Sequence, residues 1–477
     1  MNRRTKIVAT LGPATDRGGC PDELVAAGVD VVRLNLSHGT LDEHRARIAA
    51  VRSAAERAGR VVAVLADLPG PKLRAGEMPS GGVDLAAGAV VGLTFGEGPS
   101  TASTISVDYP GLAKDLASGD RVVIGDGSIV MEVDAVAGET VECRVVAGGR
   151  VSGRPGVHLP GERLRMQTPT EDDLVLARAV AADVDFLAVS FVRSAGDVSA
   201  LRAAVAQHPV RLVAKIETAA AVEALAAIAD AADAVMVARG DLGIECPLED
   251  VPHLQKRIVR HCVEAGIPVI TATQMLESMI DAPEPTRAEV SDVANAVFDG
   301  TDAVMLSGET AIGADPANVV RTMSRIVERA EAGADYPGWG ARLGRVLPRR
   351  PEASTDPVTM AMTHAAWQVQ ADLGLAAIAS VTRSGRTAQA IARYRPATPL
   401  LGLSPVPATV RHLALVWGVT PLAVEAARST DDLVWTVVAR AEVAGHVRSG
   451  DLLAVLAGAP DRPSHAATDL LRVVEVP

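Results

Sequence analysis

A chain of 477 residues, 48% hydrophobic and 22% charged, is long enough for about three globular domains. Its formal net charge of −12 and its 2% aromatic content exclude a basic nucleic-acid surface and a platform of stacking rings. Its four cysteines show no CxxC or metal spacing and read as reduced thiols of a cytoplasmic protein, and no uncharged apolar run approaches the ~18 residues of a membrane span, so neither nucleic acid nor membrane is an expected partner.

In chain order, short β-branched runs alternate with Ala-rich helical patterns. The runs are KIVATLG (Lys6–Gly12), VVRLNLS (Val31–Ser37), VVAVLAD (Val61–Asp67), FLAVSFV (Phe186–Val192), RLVAKIE (Arg211–Glu217), AVMVARG (Ala234–Gly240), PVITATQ (Pro268–Gln274) and AVMLSGE (Ala303–Glu309). Helices are predicted between most of them, for example over Glu43–Ala58, Asp173–Ala182 and Arg287–Phe298. Continuous apolar strands separated by helices indicate a parallel sheet covered on both faces. Eight such units predict a closed (β/α)8 TIM barrel, an α/β fold.

Between Asp67 and about Gln167 the helical period lapses. Strand signals punctuated by Gly, Pro and Asp replace it: GGVDLAAGAVVGLTF, GDRVVIGDGSIVMEV and GETVECRVV. So long a stretch is not a loop. It predicts a small β-barrel lid domain inserted after the third strand, at the face where barrel active sites sit. A Gly-, Pro- and Arg-rich segment, YPGWGARLGRVLPRRP, then marks a boundary, and strands and helices alternate again beyond it. The expected organisation is barrel over 1–68 and 168–340, lid over 69–167, and an open C-terminal α/β domain over 352–477.

Six of the predicted strands end in polar groups. These are Arg33, Asn35, Ser37 and His38; Asp67, followed by Lys72 and Arg74; Lys215 and Glu217; Arg239-Gly240-Asp241; Thr273 and Gln274; and Ser307-Gly308-Glu309-Thr310. Alone, VARGDLG (Val237–Gly243) is a solvated turn after a strand, or an adhesion tripeptide in an extracellular protein. Six polar ends at one barrel mouth are not what a turn reading predicts. Lys215 and Glu217 stand two apart on a strand and share a side, so they are either a local ion pair or part of a charged site. With Asp241 on the neighbouring strand, the site reading has Glu217 and Asp241 hold a divalent cation, since Mg²⁺ takes one or two carboxylates and completes its shell with substrate oxygens and water. Lys215 and Arg33 then face anionic oxygens, which suits phosphoryl transfer.

These residues sit in motifs that resemble the pyruvate kinase family: TKIVATLGPAT, RLNLSHG, GDG at Gly125–Gly127, AKIE, VMVARGDLG, ITATQMLESMI, PTRAEVSDVANAVFDGTDAVMLSGETA and RYRP, in order over nearly the whole chain. The resemblance implies transfer of phosphate from phosphoenolpyruvate to ADP, giving pyruvate and ATP as the last step of glycolysis, by a homotetramer with a regulatory C-terminal domain. It implies that Arg33 binds phosphate, that Lys215 stabilises the phosphoryl group in flight, and that Glu217 and Asp241 hold Mg²⁺, with Mn²⁺ as a substitute. Gly240, Asp241 and Thr273 are implied substrate contacts, Thr273 being linked to protonation of the enolate, and Arg74 and His38 face the nucleotide. Asn35, Ser37, Asp67 and Leu68 stand in the region that binds K⁺ in many members, but Lys72 occupies the place of a glutamate. Members with that lysine do without K⁺, so no K⁺ requirement is expected, unless Lys72 merely points to solvent. An ammonium there is expected to pair with Asp67: two unit charges about 4 Å apart interact by about 4 kcal/mol at an effective dielectric of 20. Ser194 replaces a nucleotide-contacting lysine of some members.

In the C-terminal domain, VTRSGRTAQAIARYR places Thr382, Ser384, Gly385, Arg386 and Thr387 between a strand and a helix. Hydroxyls and N–H groups there make an anion site or a plain N-cap. The pattern resembles the phosphate loop for an effector in sugar-phosphate-activated members, with Arg383, Arg386 and Arg462 as added charge. Two other readings of the whole chain are a barrel lyase or aldolase acting through a pyruvate enolate, and a catalytically silent metabolite sensor.

Overall fold

The computed structural model describes residues 3–125, 127, 129–160, 166–346, 356–458 and 468–477. Asp126 of the GDG stretch and Arg462 lie outside the described residues.

All eight predicted strands are present: β1 (Lys6–Leu11), β2 (Val31–Asn35), β3 (Ala63–Asp67), β4 (Phe186–Val189), β5 (Arg211–Ile216), β6 (Ala234–Ala238), β7 (Val269–Ala272) and β8 (Ala303–Leu306). Each pairs in parallel with its chain neighbours, and β1 pairs with both β2 and β8, so the sheet closes into a barrel. Alternate strand residues fill the inside, among them Val8, Val31, Leu65, Val213, Met236 and Met305. Their neighbours, such as Ile7, Val64, Leu212 and Val235, pack outward under the helices, which is why the strands read as unbroken apolar runs.

Most predicted strands run past the real ends. The largest revision is at VARGDLG, where the strand stops at Ala238 and Arg239–Glu245 is a short helix. Arg239, Gly240 and Asp241 therefore form a first helical turn rather than a strand end and a loop. The predicted helices are close to those observed at Leu41–Arg57, Glu171–Val180 and Arg287–Asp299. Each starts at a threonine, Thr40, Thr170 or Thr286, whose hydroxyl accepts from the N–H three residues on.

The insertion after β3 is a six-stranded sheet over its own core, which includes Leu93, Ile105, Leu112, Ile124 and Met131, with a two-stranded ribbon, Val83–Leu85 with Gly149–Val151. Gly70, at the exit from β3, has φ +69°, and a Cβ there would lie 2.8 Å from that of Ser190, so glycine is required where the chain turns toward the lid. The C-terminal domain carries a five-stranded open sheet whose last strand, Leu470–Glu475, is antiparallel. One of its segments closes the barrel floor: Ala414 and Leu415 pack inside the barrel against the residues of the inner core. Arg395 bonds Asp302 at 3.0 Å just before β8, and the Lys6 ammonium donates to the Val419 carbonyl at 2.8 Å. No helix among the described residues is long and apolar enough to cross a membrane.

Candidate active site

The C-terminal ends of β2, β3, β4 and β5 bring one chain of charges together. On β2, Arg33 donates from Nε to Asp67 Oδ2 at 2.8 Å, and its Nη2 lies 2.6 Å from the same oxygen. Its Nη1 donates to Thr10 Oγ1 at 3.1 Å. On β5, Lys215 Nζ donates to Ser190 Oγ at 2.7 Å and sits 3.3 Å from both Asp67 Oδ1 and Glu217 Oε2. Asp67 is thus shared by two cations. Burial alone would raise its pKa, but Lys215 and Arg33 outweigh that and hold it below the usual carboxylate range. Burial likewise works against charge on Lys215, and Asp67, Glu217 and Asp241 together overcome it and keep the ammonium protonated.

Glu217 is the unusual member. It is 0% exposed, yet neither carboxylate oxygen has a hydrogen-bond partner. The Lys215 ammonium is its ionic neighbour, 3.3 Å from Oε2. Burial pushes the pKa up to about 8; Lys215 opposes this, while Asp241 and Asp67 add to it. A buried carboxylate left this way is costly unless something else binds it. A divalent cation is the ligand that such oxygens fit. No group of three or more acidic, His or Cys side chains gathers to hold a metal among the described residues. A pair of carboxylates, Glu217 and the partly buried Asp241, is what Mg²⁺ uses when substrate and water complete its shell.

Across the mouth, Thr273 follows β7. Its Oγ1 accepts from Gly240 N at 2.9 Å and donates to the Ala272 carbonyl at 2.7 Å. Thr273 has φ +67° and Gln274 φ +53°, a conformation costly for any residue with a Cβ and most of all for a β-branched one. Gln274 is exposed. Glu309, expected at the mouth after β8, is instead consumed locally: it accepts from Leu276 N at 3.1 Å and Ser307 N at 2.6 Å, and it fixes two loops.

The expected pairing of Lys72 with Asp67 is not found. Lys72 is exposed and Asp67 is already satisfied by Arg33, which reaches it from the adjacent β2, and by Lys215, which reaches it past β4 from β5. Leu68 is buried, its carbonyl accepts from Ser190 Oγ at 2.7 Å, and Asn35 Oδ1 accepts from Ser37 N at 3.2 Å. The His38 ring is partly covered, and that cover and then the nearby Arg74, Lys72 and Arg33 lower its pKa, so these three charges make a cationic rim around it. Arg74 is held within the lid, its Nη1 donating to the Arg154 carbonyl at 3.4 Å. Ser194 packs into the start of the Ala195–Ala204 helix, with Oγ donating to Asp197 Oδ1 at 3.1 Å.

Ser190 was not among the residues singled out from the sequence. It stands directly after the last residue of β4, where a serine ending an apolar run was the available signal. Thr10, on β1, was missed in the same way.

The loop Thr382–Thr387, expected from the sequence to bind an anion, lies at the opposite end of β5 from this mouth. Thr382, Ser384, Arg386 and Thr387 line a cavity of about 610 Å³ between barrel and C-terminal domain, together with Arg202, Arg211 and Arg383. Gly385 donates to Thr382 Oγ1 at 2.9 Å and has φ +88°. Arg211, the first residue of β5, donates to the Ser384 carbonyl at 2.8 Å. The strand that carries Lys215 at one end therefore touches the loop at the other.

The family model described as pyruvate kinase, barrel domain, matches residues 2–320, and that described as pyruvate kinase, alpha/beta domain, matches residues 360–474. The chain is 42% identical to a pyruvate kinase of Geobacillus stearothermophilus over 99% of its own length and 80% of that protein. It is 42% identical to one of Mycobacterium tuberculosis over 96% of each. Among solved structures it resembles a pyruvate kinase from Cryptosporidium parvum with TM-score 0.91 and 32% identity, covering 100% of this chain and 96% of that one.

Proposed function

The chain belongs to the pyruvate kinase family, and from that membership we propose that the Arg33–Asp67–Lys215–Glu217 cluster is where phosphoenolpyruvate gives its phosphoryl group to ADP. The observation that carries this reading is Glu217, buried with two unpartnered oxygens beside an ammonium. In the reaction the bond from phosphorus to the enol oxygen breaks as a terminal ADP oxygen bonds to phosphorus. The enolate that remains takes a proton at its methylene carbon.

Glu217 and Asp241 would hold Mg²⁺, or Mn²⁺ in its place, and the ion would neutralise phosphoryl and enolate charge. Asp67 fixes Lys215 and Arg33 in the geometry that receives the moving charge, so little reorganisation is needed as the reaction proceeds. Gly240, Asp241 and Thr273 orient the substrate, and the Thr273 hydroxyl is placed on the proton side. His38 and Arg74, at the cationic rim, face the nucleotide.

In this reading K⁺ is not required because Lys72 stands in the place of the glutamate, a reading that its exposed position and lack of contact with Asp67 leave resting on the family resemblance, while Asn35, Ser37, Asp67 and Leu68 keep the surrounding frame. A coupled assay with phosphoenolpyruvate, ADP and Mg²⁺ in Na⁺- and K⁺-free buffer is expected to show full turnover that added K⁺ leaves unchanged. Strong K⁺ activation contradicts the role of Lys72, and turnover of phosphoenolpyruvate without ADP would favour a lyase.

The loop Thr382–Thr387 is the phosphate seat of an effector in the cavity between the domains, and the Arg211–Ser384 contact is its link to β5. A phosphorylated sugar or nucleotide is expected to lower the KM for phosphoenolpyruvate, and Ser384→Ala with Arg386→Ala to abolish that shift at unchanged basal kcat. An effector response that survives the double substitution removes the site. The assembly we infer is a homotetramer, which would cover exposed Leu248, Val290 and Phe298 on the barrel and Trp435 and Val443 on the C-terminal domain. Sedimentation of the same samples at monomer mass contradicts it.

A further inference from the structure

Arg239 stands beside Gly240 and Asp241, but its guanidinium is engaged elsewhere, along the backbone that leaves β7. Nε donates to the Ala272 carbonyl at 3.2 Å. Nη2 donates to the carbonyls of Thr273 at 2.6 Å and Gln274 at 3.3 Å and touches Met275 Sδ at 3.4 Å. Nη1 donates to Asp292 Oδ1 at 2.8 Å and Gln255 Oε1 at 3.3 Å, and its side chain is 10% exposed. One planar fork thus collects three successive carbonyls. Two of the three residues have positive φ, including a β-branched one.

Three carbonyls in a row do not converge on one side of an extended strand, because successive carbonyls alternate. They converge here only because Thr273 and Gln274 turn left-handed, a conformation that persists only where surrounding structure imposes it. Arg239 supplies that constraint from the carbonyl side. The next residue, Gly240, holds the same threonine by its hydroxyl at 2.9 Å. Asp292, on the Arg287–Asp299 helix, and Gln255, on the Val251–Ala265 helix, orient the fork in turn. A lysine would keep the charge beside Asp292 but has no fork to span three acceptors.

We propose that Arg239 is a positioning residue for the reaction: with Asp292 behind it, it holds Ala272–Gln274 in the strained turn that aims the Thr273 hydroxyl at the substrate. This rests on the reading of Thr273 as a substrate contact on the proton side. A relaxed turn moves that hydroxyl, and a displacement of about 1 Å near the reacting atoms lowers rate by up to about a hundredfold.

The test compares Arg239→Lys, Asp292→Asn and Thr273→Ala in the full-length enzyme with Mg²⁺. Three quantities are read: kcat, KM for phosphoenolpyruvate, and exchange of the methyl protons of pyruvate with D₂O by NMR in the presence of ATP. Arg239→Lys is expected to lower kcat and the exchange rate together by about ten- to a hundredfold, with a smaller change in KM. Asp292→Asn is expected to act in the same direction more weakly, and it carries the test if Arg239→Lys fails to fold. Loss of thermal stability with kcat per folded molecule and exchange unchanged means that Arg239 is structural only, and overturns the proposal. If Thr273→Ala leaves both rates intact, the reading of Thr273 fails and the proposal fails with it. If Thr273→Ala is damaging while Arg239→Lys and Asp292→Asn are silent, only the positioning role of Arg239 fails.

Discussion

Replacing Lys215 by methionine is expected to remove about 10³–10⁵ of turnover, the scale of a cation that meets a phosphoryl group in its transition state. In free energy this is about 4–7 kcal/mol of barrier. The loss should fall on kcat more than on KM, because the ammonium is asked to stabilise charge that develops only during transfer. The fold should survive. Methionine fills similar volume, and Asp67 keeps Arg33 at 2.6 Å. Glu217, with its pKa already raised to about 8 mainly by burial, holds a proton at neutral pH in the metal-free protein, so the substitution leaves no buried charge unpaired there. Circular dichroism and thermal melting check the fold, and the coupled assay checks turnover. Turnover near that of the unaltered enzyme removes Lys215 from the mechanism.

The second large effect belongs to Glu217. Its pKa of about 8 lies above the 4.5 of an ordinary glutamate, chiefly because it is buried. The sign follows from linkage: in the metal-free protein the folded state holds a proton that the unfolded chain releases between those two values. Metal-free stability therefore declines as pH rises through that window and is fullest below it. A metal needs the ionised form, so its binding expels the proton. At pH 7 titration with Mn²⁺ is expected to release close to one proton per site, and near pH 9 almost none. Glu217→Gln should abolish the release at both pH values and lower turnover by about a hundredfold or more. Proton release by calorimetry in buffers of different ionisation enthalpy is the check. A full proton released by the Gln variant would assign the linkage to another group.

Much of this was legible in the sequence, for a physical reason. Strands buried on both faces must be apolar throughout, so β1–β8 stood out as uninterrupted runs, and polar residues at their ends could only be at the mouth. Ends were harder to read. In VARGDLG the apolar run continues to Ala238, but only the backbone shows that Arg239 opens a helix. Partner choice was harder still. Lys72 is five residues from Asp67 in the chain, whereas its true partners, Arg33 and Lys215, arrive from other strands; the Asn35–Asp67 register brings the end of β2 beside that of β3. The role of Arg239 depends on the φ of two residues more than thirty positions away, which no spacing rule contains. The barrel plug at Ala414–Leu415 was invisible because its contacts lie in another domain.

The central claim is that one ion is gripped by Glu217 and Asp241 while Lys215 and Arg33 hold the phosphoryl group. A crystal grown with Mn²⁺ and phosphoenolpyruvate, and no ADP, tests it through the anomalous signal of the metal. The account predicts a single strong peak about 2.1 Å from oxygens of both carboxylates, with the phosphoryl group within reach of Lys215 Nζ and Arg33. A peak ligated elsewhere, with Glu217 still unpartnered, would contradict it.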